Sequence, residues 1–442
     1  MQPSFSDTSW STRIIAEISQ QLGDTSDRAT AQLLGCGEDN FNLLLSAVQD
    51  LVAETPRSNS CGTLEALAKL AHTKMSSGEA QICWRRMYTD AHILLSLSEL
   101  SPHTALHAIG YLDRAIIIAG AAGDGRLDLI LSLISNIQSN YVQSHHFSLT
   151  RSRFEPNSSV HEPLVLHTSR HAIPSLNSPP SLETFQTKSY TNPFILRKFA
   201  SNWPALNEHP WSSAAYLRSV AGPGRLVPIE VGTDYRADDW TQMLMSWDDF
   251  LTSLDLDGQS AVPEDVLYLA QHNLLMQFPE LNSDITIPDY AYSSLPSPPD
   301  YPKYRSPNNE DQLVVNGWLG PKGTISPAHT DPYYNLFVQI VGRKTVWLTS
   351  PALSKHMYPY VAQHCENPAA NNTSPSMSNT SHVDVFGEVS KGDRYPDFER
   401  HVITSKLTMH ATLEPGDLLF LPAGWWHAMR AEETSFSVSM WF

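Results

Sequence analysis

The sequence predicts an α+β protein, with an all-helical first third and a β-rich remainder that closes as a sandwich or double-sheet barrel. Three observations carry this. Apolar residues recur at helical spacing up to about residue 145. From about residue 181 onward, short β-prone runs alternate with tight-turn signals. A proline-rich stretch separates the two textures.

Within the first third, residues 83–100 place Trp84, Tyr88, Ala91 and Leu95 one helical turn apart, with Arg85, Arg86, Asp90 and Glu99 elsewhere around the helix. The pattern continues over 104–119, breaks at Gly120, Gly123 and Gly125, and resumes over 126–137. Those glycines spell GxxGxG, but they follow a helical pattern instead of a strand, so a helix–helix turn is expected and not a nucleotide loop. Residues 147–182 hold Pro156, Pro163, Pro174, Pro179 and Pro180 with no apolar period, which predicts a linker or loosely packed arm. The expected organisation is a helical domain over 1–146, that linker, and a β-rich domain over 183–442 carrying a polar surface insertion at about 353–405.

In the β-rich part, 336–341 and 344–348 flank Gly342-Arg343, a hairpin signal. Further strands are expected over 407–413, 417–421 and 425–430, divided by Pro415-Gly416 and Ala423-Gly424. The final run alternates cleanly, with Phe436, Val438, Met440 and Phe442 on one face and Ser435, Ser437 and Ser439 on the other. Helical signals at 237–254 and 263–277 would pack outside this sheet structure.

Composition narrows the class. Of 442 residues, 41 % are hydrophobic and 17 % charged, ordinary for a globular chain and unlike collagenous, coiled-coil or wholly disordered sequences. The net charge of -17 argues against a general grip on nucleic acid or an anionic membrane, and favours a basic partner. Cys36, Cys61, Cys83 and Cys365 form no CxxC pair and fit free thiols in a reducing compartment. The N-terminus is too polar for a signal peptide, and no apolar stretch is long enough to span a bilayer. An intracellular soluble protein, nuclear or cytoplasmic, is expected.

Eighteen histidines invite metal chemistry, yet with 46 acidic residues His-x-Asp/Glu is expected about twice by chance and occurs three times. Context separates the three. His382 and Asp384 adjoin a Ser/Asn-rich loop, and His364 and Glu366 lie in an irregular segment. His329 and Asp331 stand just before the predicted hairpin, where an extended backbone would point both side chains to one side. His427, on a turn-bounded strand, is the natural third ligand. Two histidines and a carboxylate leave adjacent positions open and suit Fe(II) oxygen chemistry. The competing reading makes His329 a turn cap, Asp331 an arginine partner and His427 a core residue.

The strings Gly317-Trp318-Leu319-Gly320-Pro321, Gly323 through Pro332 with His329-Thr330-Asp331, and Asn335 with Gly342-Arg343-Lys344 resemble the JmjC family. More narrowly they resemble its cupin-like branch of protein hydroxylases and proposed histone lysine demethylases. The closing Pro415-Gly416-Asp417, Trp425-Trp426-His427 and 435–439 match as well, and the likeness covers about 190–442. Weaker similarity at Cys83-Trp84-Arg85 and 112–130 suggests the helical N-terminal domain of the arginyl-hydroxylase/demethylase subgroup.

That resemblance implies a double-stranded β-helix (jelly-roll or cupin) binding Fe(II), with 2-oxoglutarate and O2 as co-substrates. His329, Asp331 and His427 match the iron ligands. Lys344 matches the lysine that pairs with the far carboxylate of 2-oxoglutarate, helped by Tyr290, Ser326 and Asn335, with Trp318 in the same pocket. Glu230 and Trp240 match positions that line a substrate-arginine pocket in the closest subgroup. Arginyl hydroxylation of a basic protein, such as a histone tail or a ribosome- or chromatin-associated protein, is the preferred expectation. Methyl-lysine demethylation of histone H3 and a non-catalytic scaffold are the alternatives.

Overall fold

The computed structural model describes residues 9–24, 26, 28–53, 57–77, 82–142, 166–237, 239–254, 256, 266–360, 377–387 and 394–442. Two compact units result: Met1–Phe147 with Ala221–Val227 and Ser246–Asp248, and the remainder of the chain.

The first unit is built from α1 (Ser9–Gly23), α2 (Arg28–Leu33), α3 (Glu38–Val52), α4 (Arg57–Ser76), α5 (Ile82–Ser98), α6 (Ala105–Ala119) and α7 (Arg126–Tyr141). Helix α5 is buried almost all round, so it forms the centre and the amphipathic helices pack against it. Its buried Asp90 accepts bonds from Arg86 Nε and Arg126 Nε, each at 2.7 Å. A buried carboxylate paired this way tolerates the loss of water that would otherwise expel it. The glycine cluster makes the α6–α7 turn, as its sequence position predicts. Gly120, Gly123 and Gly125 all have positive φ, and a Cβ on Gly123 would collide with the Arg86 side chain.

The second unit contains β1 (His171–Ala172), β2 (Ser175–Leu176), β3 (Phe194–Leu196), β4 (Leu226–Val231), β5 (Thr241–Ser246), β6 (Leu267–His272), β7 (Val314–Gly320), β8 (Ile325–Thr330), β9 (Asn335–Val341), β10 (Lys344–Thr349), β11 (Thr408–Leu413), β12 (Leu418–Leu421), β13 (Trp426–Ala431) and β14 (Ser435–Trp441). They form two sheets, ordered β1-β11-β10-β13-β8 and β2-β3-β12-β9-β14-β7-β6-β4-β5. From β7 onward consecutive strands mostly alternate between the sheets, the jelly-roll arrangement, and an apolar layer of Ile195, Phe337, Val346, Leu348, Leu419 and Leu421 fills the space between them.

Three expectations need correction. The helical signals at 237–254 and 263–277 are each part strand and part helix: β5 and β6 extend the larger sheet, and short helices follow at Trp247–Ser253 and Leu274–Gln277. A short apolar run such as Leu267-Tyr268-Leu269 has no period that distinguishes a buried strand from a helix, and sheet pairing decides. The linker is described from residue 166, and there it is part of the second unit. β1 pairs in parallel with β11, β2 pairs in parallel with β3, and Thr168 Oγ1 donates to Val385 O at 2.6 Å. Pro174 is tolerated between β1 and β2 because such short edge strands need few ladder bonds. The polar insertion, in its described parts, is not a purely surface feature. Val383, Val385, Phe398 and Val402 are buried against Trp347 and Trp426, an apolar set diluted in sequence by the polar residues around it.

The β9–β10 hairpin turns at Gly342, whose φ is 65° and whose added Cβ would lie 2.1 Å from Thr434 O. Gly342→Ala is therefore expected to lower the melting temperature. The left-handed backbone alone costs about 1–2 kcal/mol, and each kcal/mol moves the midpoint by roughly 2–4 °C. Scanning calorimetry checks this, and an unchanged midpoint would contradict it.

Candidate metal centre and its cavity

β8 and β13 pair antiparallel with His329 directly opposite His427, so one rung of the ladder presents both imidazoles side by side, ring centroids 4.2 Å apart. Asp331 follows β8 immediately. Its carboxylate lies 3.7 Å from His329 Nε2 and 3.4 Å from His427 Nε2. The three ligand atoms fall within 4.8 Å of one another. The pair predicted from His-x-Asp and the histidine predicted from a distant strand are brought together.

Both imidazoles are oriented from behind. His329 Nδ1 bonds to Pro327 O at 2.7 Å and His427 Nδ1 to Trp425 O at 3.1 Å. A carbonyl accepts only from N–H, so each Nδ1 carries a proton and each Nε2 is the atom aimed into the shared space. Burial and the neighbouring His427 push His329 down to about 4, so its lone pair is free near neutrality. Burial would also lower His427, but the hydrogen bond and charge of Asp331 outweigh it and hold it above its ordinary value. Burial alone would raise Asp331, yet the hydrogen bond to His427 and the facing imidazoles hold it below the usual carboxylate range.

A register shift on β8 completes the arrangement. His427 and Met429, two apart, pair with His329 and Ser326, three apart, so β8 carries a bulge. Simple alternation would put Ser326 and His329 on opposite faces; the extra residue lets both line one cavity. Opposite them, the larger sheet contributes Tyr268, Trp318, Asn335, Phe337 and Ser439 to the same cavity. Trp318 Nε1 donates to Ser439 Oγ at 2.8 Å, and Met440 N donates to Asn335 Oδ1 at 3.2 Å.

Lys344 closes the far end. It is 3 % exposed, and its ammonium lies 5.8 Å and 5.5 Å from the ring centres of Tyr268 and Phe337. Among the described residues no carboxylate pairs with it. Burial accordingly pushes its pKa down to about 7.

Not every expected residue arrives. Tyr290 is elsewhere: its ring packs 4.5 Å from Phe185 and its hydroxyl donates to Pro180 O at 2.5 Å, outside the cavity. The short helical turn Asp289–Tyr292 directs it into that aromatic layer. The tyrosine that does line the cavity is Tyr268, hydrogen-bonded to Ser326 and pushed well above its ordinary range by burial. It sits in the 263–277 stretch expected to be helical, and reading Leu267-Tyr268-Leu269 as a strand would have turned Tyr268 to one face alone.

Glu230 and Trp240 meet each other, with Trp240 Nε1 donating to Glu230 Oε2 at 3.3 Å, and Glu230 pairs across the sheet with Tyr268. They flank the cavity without lining it. Burial raises the Glu230 carboxyl despite hydrogen bonds from Trp240 and Gln242.

A family model described as a cupin-like domain matches residues 182–442. Lysine-specific demethylase 8 of Danio rerio is 34 % identical over 373 residues, 81 % of each chain. The chain belongs to the cupin-like JmjC family. Jumonji C domain-containing protein 5 of Drosophila melanogaster is 37 % identical to this JmjC chain over 287 residues, 64 % of the chain and 62 % of that protein. A human relative named bifunctional peptidase and (3S)-lysyl hydroxylase JMJD7 is 25 % identical over 61 % of the chain and 84 % of its own length. The chain thus spans a little under two thirds of the Drosophila relative's length. Among the described residues of this JmjC chain, no helix is long and apolar enough to cross a membrane.

Proposed function

We propose that the protein is an Fe(II)- and 2-oxoglutarate-dependent oxygenase that hydroxylates a basic residue, preferably arginine, of a protein substrate. The observation that carries this reading is the meeting, in one cavity, of a two-histidine, one-carboxylate donor set with a buried lysine that has no carboxylate partner among the described residues. The donor set fits Fe(II), because all three atoms converge from one side and leave the opposite positions open. A buried ammonium without a counter-charge fits the far carboxylate of a dianionic co-substrate.

Bound iron, with 2-oxoglutarate and O2, supplies the oxidant that inserts one oxygen atom into a substrate C–H bond. The chain's own residues position and protect. Pro327 O and Trp425 O keep the Nε2 atoms of His329 and His427 aimed inward. Lys344 provides the fixed cation, and Ser326, Tyr268 and Asn335 provide polar contacts along the cavity. Trp318 and Phe337 wall it and exclude water.

Substrate class rests on Glu230. It is half-buried, its carboxyl is raised by burial, and among the described residues no cation pairs with it. An incoming guanidinium bonded to the carboxylate and stacked on the Trp240 indole would complete it. Relatives named as lysine demethylases and a lysyl hydroxylase keep lysine open as the alternative, with demethylation as the competing outcome.

Mass spectrometry on an array of basic peptides tests the assignment. The expected product carries one added oxygen on arginine, and Glu230→Gln raises KM far more than it lowers kcat. Loss of a methyl group from lysine would move the assignment to demethylation. Tight peptide capture with no mass change would favour a scaffold.

A further inference from the structure

Outside the central cavity, a second set of metal-ligating side chains converges on the surface of the β-rich unit. His356 ends the short helix Pro351–His356, and Asp397 and His401 belong to the turn that opens the π-helical segment Phe398–Ile403. One ligand atom from each lies within 4.8 Å of the other two. The imidazoles of His356 and His401 stack, centroids 4.2 Å apart and 19° from parallel.

Three features make this more than a chance surface grouping. None of the three side chains makes a hydrogen bond or ion pair among the described residues, so all three donor groups are uncommitted. Winding with i→i+5 bonds is rare and frequent at functional sites, and here Asp397 caps the segment that carries His401. The near-parallel stack also keeps a ring nitrogen of each imidazole within 4.8 Å of the Asp397 carboxylate.

We propose that His356, Asp397 and His401 form a second, exposed binding site for a divalent transition ion of the zinc, cobalt or nickel type. Two imidazole nitrogens and one carboxylate oxygen suit such ions better than calcium or magnesium, which demand more oxygen ligands. Water fills the remaining positions.

The position gives the site a role. His356 and Asp397 bracket the segment that contains 377–387, and those residues run along the strand bearing His329. Thr330 N donates to Asn379 O at 3.0 Å and Ser381 N to Ala328 O at 2.8 Å. An ion joining the two ends closes that loop and lowers the entropy of the alternatives it must give up to lie on β8. The site therefore acts as a clip at the base of the segment covering the catalytic strand.

Equilibrium titration of the full chain with Zn2+ against a chromophoric chelator tests this without reference to turnover. The wild-type protein is expected to take up two equivalents. His401→Ala and His356→Ala should each take up one, and His329→Ala one, having lost the other site. The double variant His329→Ala/His401→Ala should take up none. Among the described residues the His356 and His401 side chains make no hydrogen bond or ion pair, so their variants should melt as the wild type does. Two equivalents retained by both surface variants would overturn the clip, as would a loss in only one of them. Two equivalents retained by His329→Ala would count against the central metal centre and leave the clip standing.

Discussion

His329→Ala supplied with Fe(II), 2-oxoglutarate and ascorbate is expected to release no succinate above the iron-free background. The variant removes one of three donors from a rung whose partner, His427, is held opposite by the β8–β13 ladder. The remaining imidazole and Asp331 cannot occupy one face of an ion with three bonds. Loss of a mere supporting partner behind a ligand typically costs about 10–100-fold in metal affinity or activity. Loss of the ligand itself should exceed that, leaving turnover below about 1 % of wild type. Coupled succinate detection with and without Fe(II) reads the effect directly. Melting close to that of wild type would show that the fold survives, since backbone pairing and not the imidazole holds β8 in place. Undiminished succinate release would remove the enzyme assignment.

Lys344→Met should give the unusual combination of a more stable protein with no use for its co-substrate. Displacement of a lysine from 10.5 to about 7 by burial corresponds to roughly 5 kcal/mol at most, charged against the folded state at neutral pH and below. Between about 7 and 10.5 the unfolded chain holds a proton that the folded chain has released, so stability rises with pH through that window. Below about 7 the folded state carries the full penalty. Methionine keeps the apolar stem against Tyr268 and Phe337 and removes the charge. At pH 6.5 the ligand-free variant should melt several degrees above wild type, at about 2–4 °C per kcal/mol recovered, and the difference should shrink toward pH 10. Wild type should gain thermal stability on adding 2-oxoglutarate, and the variant should gain none. A variant that melts below wild type at pH 6.5, or one still protected by 2-oxoglutarate, would contradict the role given to Lys344.

The parts of this architecture that were legible share one property: local patterns that tertiary packing reinforces. Gly342 between two apolar runs marks a hairpin, the serine and apolar alternation of 435–442 marks a strand, and His329 with Asp331 gain meaning from the hairpin that follows. The alternation proves to be buried on both faces: Ser435 and Ser437 bond to the buried Gln339 side chain, and Ser439 takes the Trp318 indole N–H. Polar residues on that strand therefore marked buried hydrogen-bond partners and not solvent. What was illegible depends on pairing over long distances. The β8 bulge exists only relative to β13, a hundred residues away in sequence, and nothing local announces it. Tyr268 was hidden because a three-residue apolar run fits helix and strand alike, and Tyr290 attracted a role by its position among motif residues while its side chain turns into the aromatic layer. Val383 and Val385 were obscured by polar neighbours, though spacing by two was the available signal.

β8 is the outermost strand of its sheet, and its outer edge is covered by Asn379, Thr380 and Ser381 through main-chain bonds. Trimming those residues would uncover a row of unsatisfied amides and carbonyls, a template on which other chains add strands. The first symptom of such a truncation should be turbidity when the freshly purified protein is concentrated. Engineering for crystallisation or display should accordingly shorten the chain elsewhere and leave this guard in place.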